Sequence, residues 1–392
     1  MTTNRSIYLD NSATTPLSSA AKEAMIAVLD HYGNPSSLHS AGQEAEAILE
    51  KAREEILRGL GLRPRQKDGI LVFTSCGTEA TSLALFGTAY AKERREANRI
   101  LTTNSEHPSI ARVLECLEKD GFEIIRIPTV GGIPDMEVLR ASLDKKIFLA
   151  TFMLVNNETG ALYPVGEMFR TVKRVYPDAI THCDAVQGFM KVPFTPATLS
   201  ADLVTVSAHK LHAPKGVGAL YIAASLIKAK KIVPFLRGGG QEQGLRSGTE
   251  NVPGIAAFGA SVADLRTRKD ERSVHVQELY RYAVEKLSPL PLRINQPKGS
   301  YLPYILNITL PSIKSETMLH ALSADGIFVS SGSACSSHSA HPSDSLLAFG
   351  LTTEEADCSL RISLSDMNTK EELDALYLSL KKNLDTLVRI RR

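Results

Sequence analysis

A-D-L-V-T-V-S-A-H-K-L-H-A-P-K-G, residues 201–216, is the stretch on which the fold class turns. Leu203, Val204 and Val206 make an apolar, β-favouring run that stops in Ser207, His209 and Lys210; Pro214, Lys215 and Gly216 then turn the chain. A buried strand ending in a polar cluster places those side chains where strand ends meet loops, the edge at which α/β proteins hold ligands. A lysine there can form a Schiff base with a carbonyl compound once its pKa is low enough to supply the free amine. Taken alone, the stretch reads more simply as a solvated turn lysine, because lysine is rarely buried and short motifs match by chance.

The pattern on both sides is that of strands alternating with helices. I-L-V-F at 70–73 is a continuous apolar run, expected of a strand buried on both faces, and a helical pattern follows it. Strands are predicted at 100–102, 122–127, 147–155, 179–183, 203–207 and 217–222, with helices near 108–118, 135–143 and 165–176 between them. That alternation predicts a largely parallel or mixed sheet with helices on both faces. Upstream, Ser18 or Ser19 caps a helix carrying Met25, Val28, Leu29 and Tyr32 on one face. Ser40 and Gln43 have capping-box spacing for a long helix with Ala45, Ile48, Leu49, Ala52, Ile56 and Leu60 inward, stopped by Gly61. Downstream, the glycine-rich 236–249 predicts a loop of unusual backbone angles. A helical region at 252–286 then links to a less regular part: strands at 303–310, 326–330 and 359–364, helices at 315–324 and 369–388, and a serine-rich loop at 331–345. The predicted division is a large domain over 15–260 and a small α+β domain built from 1–14 and 261–392.

The chain has 392 residues, 43% hydrophobic and 22% charged, with a formal net charge of +2. This balance gives no electrostatic case for direct nucleic-acid binding or for an acidic membrane surface. No apolar run approaches the roughly 18–20 residues a bilayer span needs, and the first ten residues lack a basic stretch followed by an apolar one. Cysteines at 76, 116, 183, 335 and 358 are irregularly spaced and suit a reducing compartment, so a cytoplasmic protein is expected.

Several predicted strands end in residues that one chemistry would use together. A pyridoxal phosphate site needs backbone N–H groups and hydroxyls for the phosphate, and Ser75-Cys76-Gly77-Thr78, between a strand and a helix, can supply them or can simply be a cap and a tight turn. Asp184 ends the strand before Lys210's and can keep a pyridine nitrogen protonated, or can cap the next turn. His107 can stack on a flat ring and carry a proton. Asn157 and Gln187 are amides at strand ends, suited to a ring hydroxyl. Cys335 lies among small residues with Pro342 beyond, which suits a nucleophile on a loop. The other four cysteines lie in or beside predicted elements and read as structural.

Taken in order, Y-L-D-N-S-A-T-T-P, G-N-P-S-S-L-H, T-S-C-G-T-E-A, S-E-H, N-N-E-T-G, D-A-V-Q, S-A-H-K-L-H-A-P-K-G, G-G-G-Q-E-Q-G-L-R-S-G-T-E-N and S-S-G-S-A-C-S-S resemble the cysteine desulfurase family, its NifS-like group in particular. The resemblance implies an α/β, aminotransferase-like fold (fold type I of the pyridoxal-phosphate enzymes), with a mostly parallel seven-stranded sheet in the large domain and a small α+β domain. It implies pyridoxal 5'-phosphate as cofactor, L-cysteine as substrate, and a homodimer. It also implies a sulfur-acceptor protein such as an iron–sulfur scaffold.

Carried over by motif, Lys210 holds the cofactor and moves protons, Asp184 pairs with the pyridinium, and His107 stacks on the ring. Asn157 and Gln187 hold the ring-hydroxyl side, and Gly77, Thr78, Ser207 and His209 hold the phosphate. Thr249 reaches the phosphate of a neighbouring subunit, Arg361 binds the substrate carboxylate with Asn157 beside it, and Cys335 takes the sulfur as a persulfide, leaving L-alanine. Three departures from the usual pattern stand out: Cys76 where glycine is common, Cys183 directly before Asp184, and His338 and His341 after Cys335. The C-x2-H-x2-H spacing of these last residues lacks an evident fourth ligand, so no metal is predicted. A selenocysteine lyase or an aminotransferase on the same scaffold would keep Lys210 and Asp184, and an aminotransferase would not need Cys335. A non-catalytic α/β protein would leave the coincidence of Lys210, Asp184 and His107 at strand ends unexplained.

Overall fold

The computed structural model describes residues 6–64, 68–91, 97–331 and 342–387. After a two-residue strand β1 (Ile7–Tyr8), helices α1 (Ser19–Ala27) and α2 (Ser40–Gly59) lead into the central sheet. The sheet comprises β2 (Gly69–Thr74), β3 (Arg99–Thr103), β4 (Glu123–Ile127), β5 (Ile147–Met153), β6 (Ile180–Asp184), β7 (Leu203–Ser207) and β8 (Gly218–Ala223), in the order β2-β8-β7-β6-β5-β3-β4. Helices α3 (Gly77–Ala89), α4 (Pro108–Lys119), α5 (Met136–Ala141) and α6 (Val165–Val175) connect the strands, with the short α7 (Pro196–Leu199) before β7. From β4 to β7 every pairing is parallel; β8 runs antiparallel to β7 and β2. The connection between β7 and β8 explains the reversal, since a parallel crossover needs a dozen or more residues, and only the turn over residues 208–217 lies between them.

Both faces of the sheet are buried. Leu71, Phe73, Val204 and Val206 belong to one apolar cluster, and Val72, Leu203, Leu220 and Ile222 to a second on the other side. Alternation along each strand therefore feeds two cores at once, which is why the strands read as unbroken apolar runs.

Past the short α8 (Ala224–Lys228), the predicted helix at 252–286 is two helices, α9 (Val252–Thr267) and α10 (Lys269–Leu287), separated at Arg268 with φ −104° and ψ 17°. The C-terminal part forms an antiparallel sheet of β9 (Arg293–Ile294), β10 (Ile305–Thr309), β12 (Ser330–Ser331) and β13 (Ser359–Ser363), ordered β12-β13-β10-β9, with α11 (Ser315–Ala324) before it closes. The predicted strand at 326–330 is split: β11 (Ile327–Phe328) pairs in parallel with β1, and β12 turns to β13. Helix α12 (Asp344–Phe349) begins at the end of the predicted serine-rich loop, α13 (Thr353–Asp357) lies in a stretch to which no element was assigned, and α14 (Lys370–Thr386) opens on a capping box of Thr369 and Glu372.

Two local expectations need correction. Helix α1 ends at Ala27, so Leu29 and Tyr32 lie beyond it and are 57% and 91% exposed. Helix α2 is capped by His39, whose Nδ1 accepts from Gly42 N at 3.3 Å, and not by Ser40, which is its first residue.

Within the sheet, His182 is fully buried and bonds across both neighbours: Nδ1 meets Thr151 Oγ1 of β5 at 2.8 Å and Nε2 meets Thr205 Oγ1 of β7 at 2.9 Å. Burial pushes its pKa down from 6.5 to about 3. Between those values the unfolded chain binds a proton that the folded chain does not, so this contribution to stability is complete above pH 6.5 and is lost as pH falls toward 3. From pH 6.5 to 4 the loss is roughly 3 kcal/mol. Urea midpoints of the apo-protein should fall over that range. The His182→Gln variant should flatten this part of the curve while starting about 1–2 kcal/mol less stable at neutral pH, for want of one threonine bond. An unaltered slope in the variant would show that the acid sensitivity resides elsewhere.

Candidate active site

The C-terminal tips of β5, β6 and β7 meet the start of α3 around one cavity of about 250 Å³. Gly77, Thr78, His107, Asn157, Asp184, Gln187, Ser207, His209, Lys210 and Arg361 all line it. Thr249 does not; it is exposed on this chain. Cys335, His338 and His341 lie outside the described residues. Among the described residues, no three His, Cys, Asp or Glu side chains are grouped to hold a metal ion.

Lys210 sits in the turn just past β7. Its Nζ donates to Ser12 O at 2.5 Å and Ala13 O at 2.8 Å. Asp184, last residue of the adjacent β6, is 7% exposed and accepts from Val186 N at 2.9 Å, so it caps a turn and faces the cavity at once. Burial pushes its pKa up to about 6, against the pull of Lys210. A buried carboxylate with few donors gains from a cation placed beside it. His107 caps α4 with Nδ1, which accepts from Ser109 N at 3.1 Å. That bond places the ring's proton on Nε2. Burial, with Lys210 and Arg361 nearby, lowers its pKa to about 4, so the ring is neutral near pH 7.

Where β2 meets α3, no side chain caps the helix: Cys76 occupies the N-cap position and makes no such bond. Gly77 lets the helix start approach β7, since a Cβ there would lie 3.2 Å from Val186 Cγ2 and 3.3 Å from Ser207 Cβ. Beside these N–H groups the Ser207 hydroxyl is buried without a partner. Gln187 is similar: Nε2 donates to Ser12 O at 2.9 Å, and its buried Oε1 has no partner. Orphaned polar atoms of this kind are costly unless something else bonds to them.

The sequence profile of the Aminotransferase class-V family matches residues 7–376. A protein named cysteine desulfurase IscS from Dictyoglomus turgidum is 37% identical over 98% of this chain and 95% of its own length. Another of that name, from Methanosarcina thermophila, is 36% identical over 95% and 90%. Among solved structures, a NifS-like protein superposes with a TM-score of 0.89 at 36% identity, covering 97% of this chain and 100% of its own. The chain belongs to the cysteine desulfurase family.

Members of this family work with pyridoxal 5'-phosphate, and the cavity fits that group. The uncapped start of α3, the free Ser207 hydroxyl and His209 can take a phosphate. The Gln187 oxygen can accept from a ring hydroxyl, Asp184 can pair with the ring nitrogen, and the Lys210 amine can meet the aldehyde carbon.

Sequence reasoning missed three features in and around this desulfurase-family site. Ser12 and Ala13 of the N-terminal segment line the cavity, and the residues around them brace it: beyond the bonds to Lys210, Thr14 Oγ1 meets His209 Nδ1 at 3.3 Å and Thr15 Oγ1 donates to His209 O at 3.0 Å. Glu106, beside His107 in the S-E-H motif, accepts from Thr103 Oγ1 at 2.7 Å and Met153 N at 3.1 Å; burial pushes its pKa up to about 8, so it is mostly protonated at neutral pH. Glu242 fastens the glycine-rich loop, with Arg53 donating to both its oxygens at 2.9 Å and Phe73 N at 2.7 Å; Glu242 and Gln243 themselves adopt positive φ, 50° and 58°. Two cysteines also depart from the structural reading: Cys76 lines the cavity and Cys116 is exposed, whereas Cys183 and Cys358 are buried.

Because the Ser207 hydroxyl has no partner in the protein, Ser207→Ala should leave the melting temperature of the apo-protein unchanged or slightly raised. The same change should weaken cofactor binding by about tenfold in equilibrium dialysis, the loss of one hydrogen bond to a charged group. A drop in apo-protein stability with unaltered cofactor affinity would contradict this assignment.

Proposed function

We propose that the chain is a cysteine desulfurase that converts L-cysteine to L-alanine and passes the sulfur to Cys335 as a persulfide. The observation that carries the reading is the convergence of Lys210, Asp184, His107 and Arg361 on one cavity from four separate parts of the chain. One solved relative, titled SspA in complex with cysteine, is 29% identical with a TM-score of 0.79 over 92% of this chain and 99% of its own.

When bound, the cofactor supplies an electron sink for the pair released at the substrate's α-carbon. The protein's residues do the rest. Arg361, 3% exposed, takes the substrate carboxylate and fixes its orientation. The Lys210 amine accepts and returns the α-proton. Neutral His107 offers its ring face and the proton on Nε2. The Cys335 thiolate attacks the substrate sulfur: a sulfur–sulfur bond forms, the substrate's carbon–sulfur bond breaks, and the carbon is reprotonated to give alanine. A thiol is mostly protonated near pH 7, so a neighbouring base or cation must favour the thiolate.

The division into a large unit, 15–260, and a small one, 1–14 with 261–392, belongs to this reading and is supported by β1 pairing with β11 and by the Asp10–Ser363 bridge. So does a homodimer: Thr249 is exposed on its own chain, and Ile26, Leu29, Tyr32, Leu38 and Phe235 expose apolar surface. The acceptor we favour is an iron–sulfur scaffold protein in the cytoplasm, where a free thiol persists. Among the described residues, no helix is long and apolar enough to cross a membrane.

Purified protein should be yellow and, with a dithiol added to reduce the Cys335 persulfide, release sulfide and alanine from cysteine in equal amounts. Lys210→Ala should lose the long-wavelength absorbance of lysine-bound cofactor. Cys335→Ser should keep that absorbance and lose sulfide release; full activity in this variant would point to another enzyme on the same scaffold. Sedimentation should give twice the 42.6 kDa chain mass, and Thr249→Ala should weaken cofactor retention without changing that mass.

A further inference from the structure

Arg361 already has a carboxylate beside it. Its Nη2 donates to Asp10 Oδ1 at 2.8 Å and its Nη1 to Asn157 O at 3.0 Å, while its buried Nε has no partner. The Arg361 side chain is 4% exposed and that of Asp10 17%, so water screens the pair poorly. Asp10 is also fixed in place. It forms a parallel bridge with Ser363, two positions from Arg361 on β13. Asn11 N donates to Ser363 O at 3.3 Å, Ser363 N donates to Leu9 O at 2.7 Å, and Tyr8 Oη donates to Asp10 O at 3.1 Å. One strand carries the cation, and the segment laid along it carries the anion.

We propose that Asp10 is a positioning residue and resident counter-ion of Arg361, which orients the guanidinium and limits how tightly the site holds the α-carboxylate of its amino-acid substrate and product. The proposal rests on the reading of Arg361 as the carboxylate site and deepens it. A guanidinium has five N–H donors, and Asp10 and Asn157 use only two. The unpartnered Nε–H and the spare N–H groups remain for an incoming carboxylate. Once it arrives, two anions share one cation, and their repulsion offsets part of the attraction. Without Asp10, Arg361 would wait as a buried, unpaired charge, which is strongly destabilising. It would then grip substrate and product alike, and binding that is equal in ground and transition states does not speed turnover.

The test uses the holoenzyme and L-alanine, followed by calorimetry, with cysteine kinetics alongside. Asp10→Asn keeps the size and an acceptor oxygen but removes the charge. Alanine should bind about tenfold more tightly and KM for cysteine should fall without a rise in kcat, while the cofactor absorbance stays as in the parent; tenfold corresponds to about 1.4 kcal/mol. Asp10→Ser, a second neutral variant, should shift alanine binding in the same direction. Unchanged or weaker alanine binding in both variants, with fold and cofactor content intact, overturns the role of Asp10 and leaves that of Arg361 standing. Loss of the fold in both would make Asp10 a purely structural residue and overturns the proposal equally. Arg361→Leu separates the two readings: it should abolish alanine binding, and persistent binding would remove Arg361 as the carboxylate site and the proposal with it.

Discussion

The parallel register of β5, β6 and β7 is the constraint on which the site depends. Met153 pairs with Asp184, and Asp184 pairs with Thr205, so β7 runs two residues past the end of β6 before the turn that carries Lys210. A slip of one residue would turn Asp184 to the opposite face of the sheet. Burial on both faces resists such a slip, because it would also expose apolar side chains to the wrong core. His182 adds a specific pin: its two ring nitrogens bond to threonines on the strands on either side, and both bonds need that register.

The sheet alone does not make the cavity. Part of its lining is Ser12 and Ala13 of the N-terminal segment, which bonds to Lys210 through those two residues, to His209 through Thr14 and Thr15, and to Arg361 through Asp10. The same segment begins as a strand paired with β11 and bridges β13. The C-terminal sheet therefore delivers Arg361 and its counter-ion together, and the central sheet delivers Asp184, Ser207 and Lys210 to the same cavity. Asn157 joins the two, since it lines the cavity and its carbonyl accepts from Arg361.

What could be read in the sequence was whatever has a local signature. Apolar runs ending in Asp184 and Lys210 located two adjacent strand tips, and the polar turn after β2 located the uncapped helix start that lines the cavity. What could not be read was whatever is settled by distant contacts. Asp10–Thr15 has no periodicity, and its partners lie about two hundred to three hundred and fifty residues away. Glu106 and Glu242 are carboxyls whose burial no local pattern announces. Leu29 and Tyr32 show the complementary failure, because an apolar face looks the same in sequence whether it meets a core or is left exposed on this chain. The glycine-rich loop was legible as a loop, but not the Arg53–Glu242 pair that holds it.

The distribution of charge in the cavity accounts for the kind of ligand it can hold. Burial and the neighbouring cations keep His107 and His209 neutral near pH 7, each with its pKa lowered to about 4. Burial keeps Glu106 mostly protonated. The fixed charges that remain are the Lys210 and Arg361 cations with the Asp184 and Asp10 carboxylates. Asp10 is bonded to Arg361 at one end, while Asp184 lies at the tip of the strand beside Lys210's. An anion is thus welcome at two separated places: the start of α3, where N–H groups lack a side-chain cap, and Arg361, where N–H groups are left over. A ligand pair bearing a phosphate at one end and a carboxylate at the other, with a proton-bearing ring nitrogen between them for Asp184, matches that arrangement. A dicarboxylate without the ring would bring no cation to Asp184, whose charged form burial already disfavours.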